Sequence, residues 1–167
     1  AVEARRIFFA RFRAADGTWL PARVRVQQEF AAQSLGMVHL HGAPWPDDQT
    51  AVLIEQSGDV LVGGSARELQ LRQPDGTVVS VPIAARVHDP AVAPSTQERM
   101  LYVYVRPEGA RRMGHRAEFD HWEIRLKVRG SYASVAAARD RLSSVLATAG
   151  SKVLRSEVLS AQHPHAA

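Results

Sequence analysis

Two histidines, His39 and His41, stand one residue apart in "MVHLHGAPWPDD" (37–48). On a β-strand such a pair projects from one face, about 7 Å apart at a rise of about 3.4 Å per residue. Two imidazoles so placed can share a metal ion through bonds of about 2.0–2.1 Å, provided a third ligand joins them. His121 and His115 are candidates for that position, and the metal set considered is His39, His41 and His121. The competing reading is a strand with polar-face histidines that ends in a Pro-bounded loop, with Asp47 and Asp48 as solvated loop acids. That reading is preferred, and no cofactor is expected. Other catalytic constellations are missing from the sequence. Without cysteine there is no thiolate nucleophile or thiolate metal site. There is no Gly-x-Ser-x-Gly elbow, and "GDVLVGGS" (58–65) lacks the lysine of a phosphate-binding loop.

The second chemistry is anion binding. "RPEGARRMGHR" (106–116) carries four arginines and a histidine. Read as a hairpin loop, it places Arg106, Arg111, Arg112 and Arg116 beside a following strand whose outer face bears Arg125, Lys127 and Arg129. Planar guanidiniums in such a patch suit the phosphates of nucleic acid or lipid headgroups. Tyr102 and Tyr104 on the adjoining strand would stack bases if exposed. Equally, the tyrosines would be core and the arginines would pair with acidic residues elsewhere. "PEGARRMGH" (107–115) also resembles the Pro-x-Gly…His element of cupin barrels. That resemblance implies a metal at the His-x-His pair. The family's Glu ligand, however, follows its His-x-His strand closely, and here Asp47 and Asp48 stand at a different spacing.

Charge is segregated along the chain. Residues 1–30 hold six basic and three acidic groups, 31–98 three and eight, and 99–167 twelve and six, so the segments carry +3, −5 and +6. Nineteen of the 21 basic residues are arginine. Basic ends around an acidic middle are suited to mutual neutralisation in one fold or against another subunit, and the net +4 is compatible with an anionic partner. At 46% hydrophobic and 23% charged, the composition is that of a soluble globular domain. No apolar run reaches the roughly 18 residues of a membrane span. The chain opens on Ala1 without Met, which fits either a processed mature form, exported or organellar, or a trimmed piece of a longer chain, so the compartment stays open.

Strand signals position these residues. "RIFFARFR" and "WLPARVRVQ" flank Asp16-Gly17, a hairpin dipeptide. In the second segment Leu20, Ala22, Val24 and Val26 share one face, and Arg23 and Arg25 the other. Further hairpins are expected around Ser57-Gly58-Asp59 and Pro74-Asp75-Gly76. "RMLYVYVRP" (99–107) is apolar on both faces, as in a central strand. "FDHWEIRLKVRG" (119–130) alternates, predicting that Trp122, Ile124, Leu126 and Val128 are buried. A helix is expected over 134–149, capped by Ser134 and stopped by Gly150, and then a strand over 152–159. The segment "VRGSYASVAAARDRLSSVLATAG" (128–150) resembles the opening of a sporulation-related repeat, a small peptidoglycan-binding domain. It covers 23 of 167 residues. The family's second strand–helix half has no counterpart in the one strand and tail that follow, so no assignment is based on it.

The expected fold is α+β, with a mostly antiparallel, meander-type sheet of about eight strands. One C-terminal amphipathic helix (134–149) would pack on it in a strand–helix–strand unit. A single domain is expected over 1–162. It comprises a β-rich subdomain (1–87), a junction loop (88–97) and a strand–strand–helix–strand part (98–160), before a disordered tail (161–167). The expected function is non-catalytic: an interaction or assembly module that binds a protein partner, or a second copy in a homo-oligomer, through sheet edges and charged faces. A nucleic-acid- or phosphate-binding domain using 106–129 is the alternative, and a metal-dependent enzyme at His39 and His41 comes third.

Overall fold

The computed structural model of the protein describes residues 1–40, 42, 44–126 and 131–158. The chain forms two compact units, one of Val2–Ile124 and one of Ala1 with the chain from Arg125 onward.

The larger unit contains β1 (Val2–Arg13), β2 (Trp19–Val26), β3 (Val52–Glu55), β4 (Glu68–Arg72), β5 (Val78–Val87), β6 (Leu101–Val105) and β7 (His121–Ile124). Its short helices are α1 (Asp59–Val62), α2 (Ser95–Glu98) and α3 (Pro107–Arg112). The strands join in the order β2–β6–β3–β5–β4–β1–β7, and β1 also pairs with β2. The first six in that order therefore close into a ring. β7 extends it along the first residues of β1, from Val2 opposite Ile124 to Arg5 opposite His121.

The α+β class stands, but the sheet is mixed and seven-stranded rather than a meander of about eight antiparallel strands. The β2–β6 and β3–β5 ladders are parallel. Period-two alternation states which side chains share a face. It does not state which strand lies alongside, or in which direction. The two Asp-Gly turns did identify neighbours: Gly17 and Gly76 take positive φ, and β1–β2 and β4–β5 are antiparallel hairpins.

Three expected strands are absent. After β3 the chain makes a 3-10 turn at Gln56–Gly58, where the Glu55 carboxylate accepts from Ser57 N–H at 2.7 Å. It continues into α1, so the expected hairpin arm is helical. Over the described residues 37–40 the expected strand reduces to one bridge between His39 and His88. Over 151–158 no strand forms. In that segment Val153 and Leu154 are both exposed, so neither is held against a core. Of the expected 119–129 strand, the described residues 119–126 form only β7, and Trp122 and Ile124 are 60% and 44% exposed rather than buried. Leu126 is exposed as well, and Val128 lies outside the described residues.

Inside the ring, alternate residues of all six strands meet, among them Phe12, Val24, Ile54, Leu71, Val81 and Val103, each at most 1% exposed. A six-stranded ring of this kind is filled by its own side chains. Burying each of them stabilises the fold by about 1.5–3 kcal/mol. Gly58 lies against Leu101 at one end of β6, and Gly109 against Val105 at the other. The 3-10 turn and α1, through Gly58, Leu61 and Val62, and α3, through Gly109 and Ala110, thus pack on the core at the two ends of β6. A second cluster, with Phe30, Val38, Leu53, Tyr102 and Tyr104, covers the outside of β3 and β6. This explains why every residue of β6 is buried.

In the smaller unit the expected helix forms as α4 (Tyr132–Thr148). Its N-cap is Ser131 rather than Ser134: the Ser131 hydroxyl accepts from Ser134 N–H at 3.2 Å. No residue of α4 is buried. With 151–158 lacking a strand, the expected strand–helix–strand unit is not formed. The expected tail at 161–167 lies outside the described residues.

Candidate anion-binding face

The side chains that point away from the ring on β1, β2 and β4 form one lattice. Register places Trp19 beside Arg13, Pro21 beside Arg11, and Arg23 beside Phe9 across the β1–β2 ladder. Arg11 faces Arg72 across β1–β4. Arg11, Arg13 and Arg72 are exposed and Arg23 is half-buried. Among the described residues no carboxylate lies within ion-pair distance of any of the four. Their contacts are of other kinds. The Arg72 guanidinium lies over the Trp19 ring, 4.3 Å from its centroid, and Arg13 Nη1 donates to Gln70 Oε1 at 3.4 Å. Phe9, in the midst of these charges, is 65% exposed.

Local chemistry fixes this arrangement. In the β1–β2 turn Asp16 accepts from the backbone N–H and hydroxyl of Thr18 at 2.9 and 2.6 Å, and these bonds hold its carboxyl below the usual range. The turn in turn sets the register that aligns Trp19 with Arg13. A shallow groove follows the face between Phe9, Arg11, Pro21, Arg72 and Pro74, with His115 at its side. The His115 ring stacks on Phe8, centroids 3.8 Å apart. Burial, and secondarily the charge of Arg6, lowers its pKa.

The arginines expected to form an anion site are not gathered. The 106–116 segment is not a hairpin loop but α3 and its exit. Arg106 is 8% exposed, donates to Pro46 O at 2.8 Å, lies 3.4 Å from the Glu29 carboxylate and sits over Phe30. Arg111 pairs with Glu108 one turn earlier. Arg112 donates to Thr50 Oγ1 and Ser80 O. Arg116 is exposed and without an ion pair among the described residues. Arg125 opens the smaller unit, where its N–H donates to Ala1 O at 2.9 Å. Lys127 and Arg129 lie outside the described residues. Tyr102 and Tyr104 are buried, with hydroxyls donating to Glu98 and Asp89, so neither ring is open to a base.

As for the metal set, His39 is exposed and exchanges backbone hydrogen bonds with His88, and His121 lies on β7 with Nε2 4.0 Å from Glu123. His41 lies outside the described residues. Among the described residues no three His, Cys, Asp or Glu side chains are grouped to hold a metal ion. No helix among them is long and apolar enough to cross a membrane.

Two buried ionic clusters went unread in the sequence. Arg5, 2% exposed, lies between Glu3 and Glu123 at 2.7 and 2.8 Å and donates to Leu35 O. Burial raises the Glu3 carboxyl, but hydrogen bonds from Ser34, Arg5 and Leu35 outweigh it and lower the pKa to about 2. Arg25 lies 3.5 Å from Asp89 and over the Tyr104 ring, and Tyr104 donates to Asp89 at 2.8 Å. Burial and the nearby Arg5 depress the Arg25 pKa, and burial with the Asp89 charge raises that of Tyr104. Both clusters tie the long 27–50 and 88–100 connections to β1 and β2. No protein-family model matches the chain, and no curated protein matches it in sequence.

Proposed function

We propose that this chain is a non-catalytic binding module whose ring of strands holds a basic outer face, on β1, β2 and β4, against an anionic partner. The observation that carries this reading is the set Arg11, Arg13, Arg23 and Arg72, four guanidiniums on three neighbouring strands without a carboxylate partner among the described residues. Charges left unpaired in a folded protein remain available to a ligand, whereas paired ones such as Arg106 and Arg111 are already engaged. Binding through sheet edges has less to work with, because ring closure gives six strands a partner on each side, although β1 and β4 meet at only two residue pairs and β7 has a single partner. The charged face is therefore the working surface of the interaction module, and the 106–129 arginines are not its centre.

Retention on an immobilised polyanion as salt is raised tests this. The Arg11→Glu, Arg72→Glu double variant should elute at clearly lower salt than the parent protein. The Arg111→Glu, Arg112→Glu variant should shift less. The reverse order would return the working surface to α3.

A further inference from the structure

We infer that the β1–β2–β4 face takes single-stranded nucleic acid, with phosphates on its arginines and a base stacked on Phe9. This rests on the anionic-partner reading and adds the ligand class. Phe9 makes the distinction. Its ring is 65% exposed and paired across the ladder with Arg23, while Arg11 lies two residues further along the same strand face. An acidic peptide would satisfy the guanidiniums but offers carboxylates rather than flat π faces. A single strand offers both: phosphates for the arginines and an unpaired base for the ring. The spacing also fits. Alternate residues of β1 lie about 7 Å apart and adjacent strands about 4.8 Å apart, so charges and ring recur at short intervals. Arg72 is already held flat by the Trp19 ring, which limits the side-chain freedom lost on binding. A duplex fits less well, because its bases are stacked on one another and leave nothing for Phe9.

One carboxylate, Glu68, shares the outward row of β4 with Gln70 and Arg72 and accepts from Ser80 Oγ at 2.6 Å, and two more mark the limits of the face. Asp16 occupies the β1–β2 turn and Asp75 the β4–β5 turn, and the hydrogen bonds from Thr18 and Thr77 hold both carboxyls below their usual range. Both are therefore ionised near neutral pH and repel a strand that runs past either turn. The footprint is accordingly short, on the order of four nucleotides, at the lower end for single-strand-binding domains.

The test measures fluorescence anisotropy of a labelled 12-nucleotide oligothymidylate with the full chain, and in parallel of a labelled poly-glutamate. Four phosphate contacts predict that oligonucleotide affinity falls about fifty-fold between 50 and 200 mM salt. Arg11→Gln with Arg72→Gln should halve the logarithmic salt slope. Phe9→Ala should weaken oligonucleotide binding about ten-fold, Phe9→Tyr should restore it, and poly-glutamate should respond to neither. Because Phe9 is exposed, these variants are expected to keep the parent's circular dichroism. Oligonucleotide binding indifferent to Phe9→Ala overturns the inference. So does poly-glutamate binding as tightly with the same arginine dependence, although the anionic-partner reading then stands. If neither probe binds, both readings fall.

Discussion

At the scale of single residues, buried charge makes the sharpest demands. Asp89, 2% exposed, is the one carboxylate within ion-pair distance of Arg25 among the described residues, and it also accepts the Tyr104 hydroxyl. Asp89→Ala leaves a largely buried guanidinium, 11% exposed, without a carboxylate among the described residues. It should destabilise the fold by about 3–5 kcal/mol in urea unfolding. Two other groups contribute to the response to acid, beside carboxyls such as Asp16 and Asp75 that hydrogen bonds also hold low. His115 has a folded pKa below its ordinary 6.5, so the unfolded chain binds the proton more readily. Its contribution is complete above about pH 6.5 and is lost as pH falls through the lower folded value. Glu3, ordinarily near 4.5 and here about 2, contributes fully above pH 4.5 and loses that contribution toward pH 2. The urea midpoint should thus decline in two stages on acidification, and His115→Gln should remove the first. None of these partnerships was legible in the sequence. Arg25 and Asp89 are 64 residues apart, and charge composition names no partners.

Elements were more legible where a local rule decides them. The alternation of β2 correctly gave Ala22, Val24 and Val26 as an inward row, and the doubly apolar β6 gave a strand buried on both faces. The same alternation misplaced Ile124, because β7 pairs with the extension of β1 beyond the ring and not with the filled interior. Ile124→Asp should therefore be tolerated, while Val103→Asp, at 0% exposure, should prevent folding. Helix α3 carried signals that the Arg-rich reading passed over. Pro107 opens it, Glu108 lies in its first turn, Arg111 and Arg112 in its last, and Gly114 follows with positive φ. Gly58 tests the packing at the other end of β6. A Cβ there would stand 2.4 Å from Leu101 Cδ1 and 3.1 Å from Ser95 Oγ, so Gly58→Ala should cost about 1–3 kcal/mol of stability.

Over the whole molecule, the candidate face becomes visible only once neighbours are known. Arg11, Arg13, Arg23 and Arg72 are scattered among other arginines in the sequence, and strand pairing makes them one surface. The 106–116 cluster, dense in sequence, is dispersed by the opposite effect, since a helix and a buried cap send its side chains to different partners. The same pairing has a consequence for how the chain folds. β6 lies between β2 and β3, parallel to one and antiparallel to the other. It acts as a keystone that arrives late: β2 waits with an unpaired side while a ribosome works from residue 26 to residue 105, and β3 waits from residue 55. At synthesis rates of about 5–20 residues per second, that wait lasts several seconds. Pairings this distant in sequence also slow folding. A nascent chain stalled before residue 101 therefore presents sticky edges that the finished protein never shows, and would depend on chaperones to stay unaggregated.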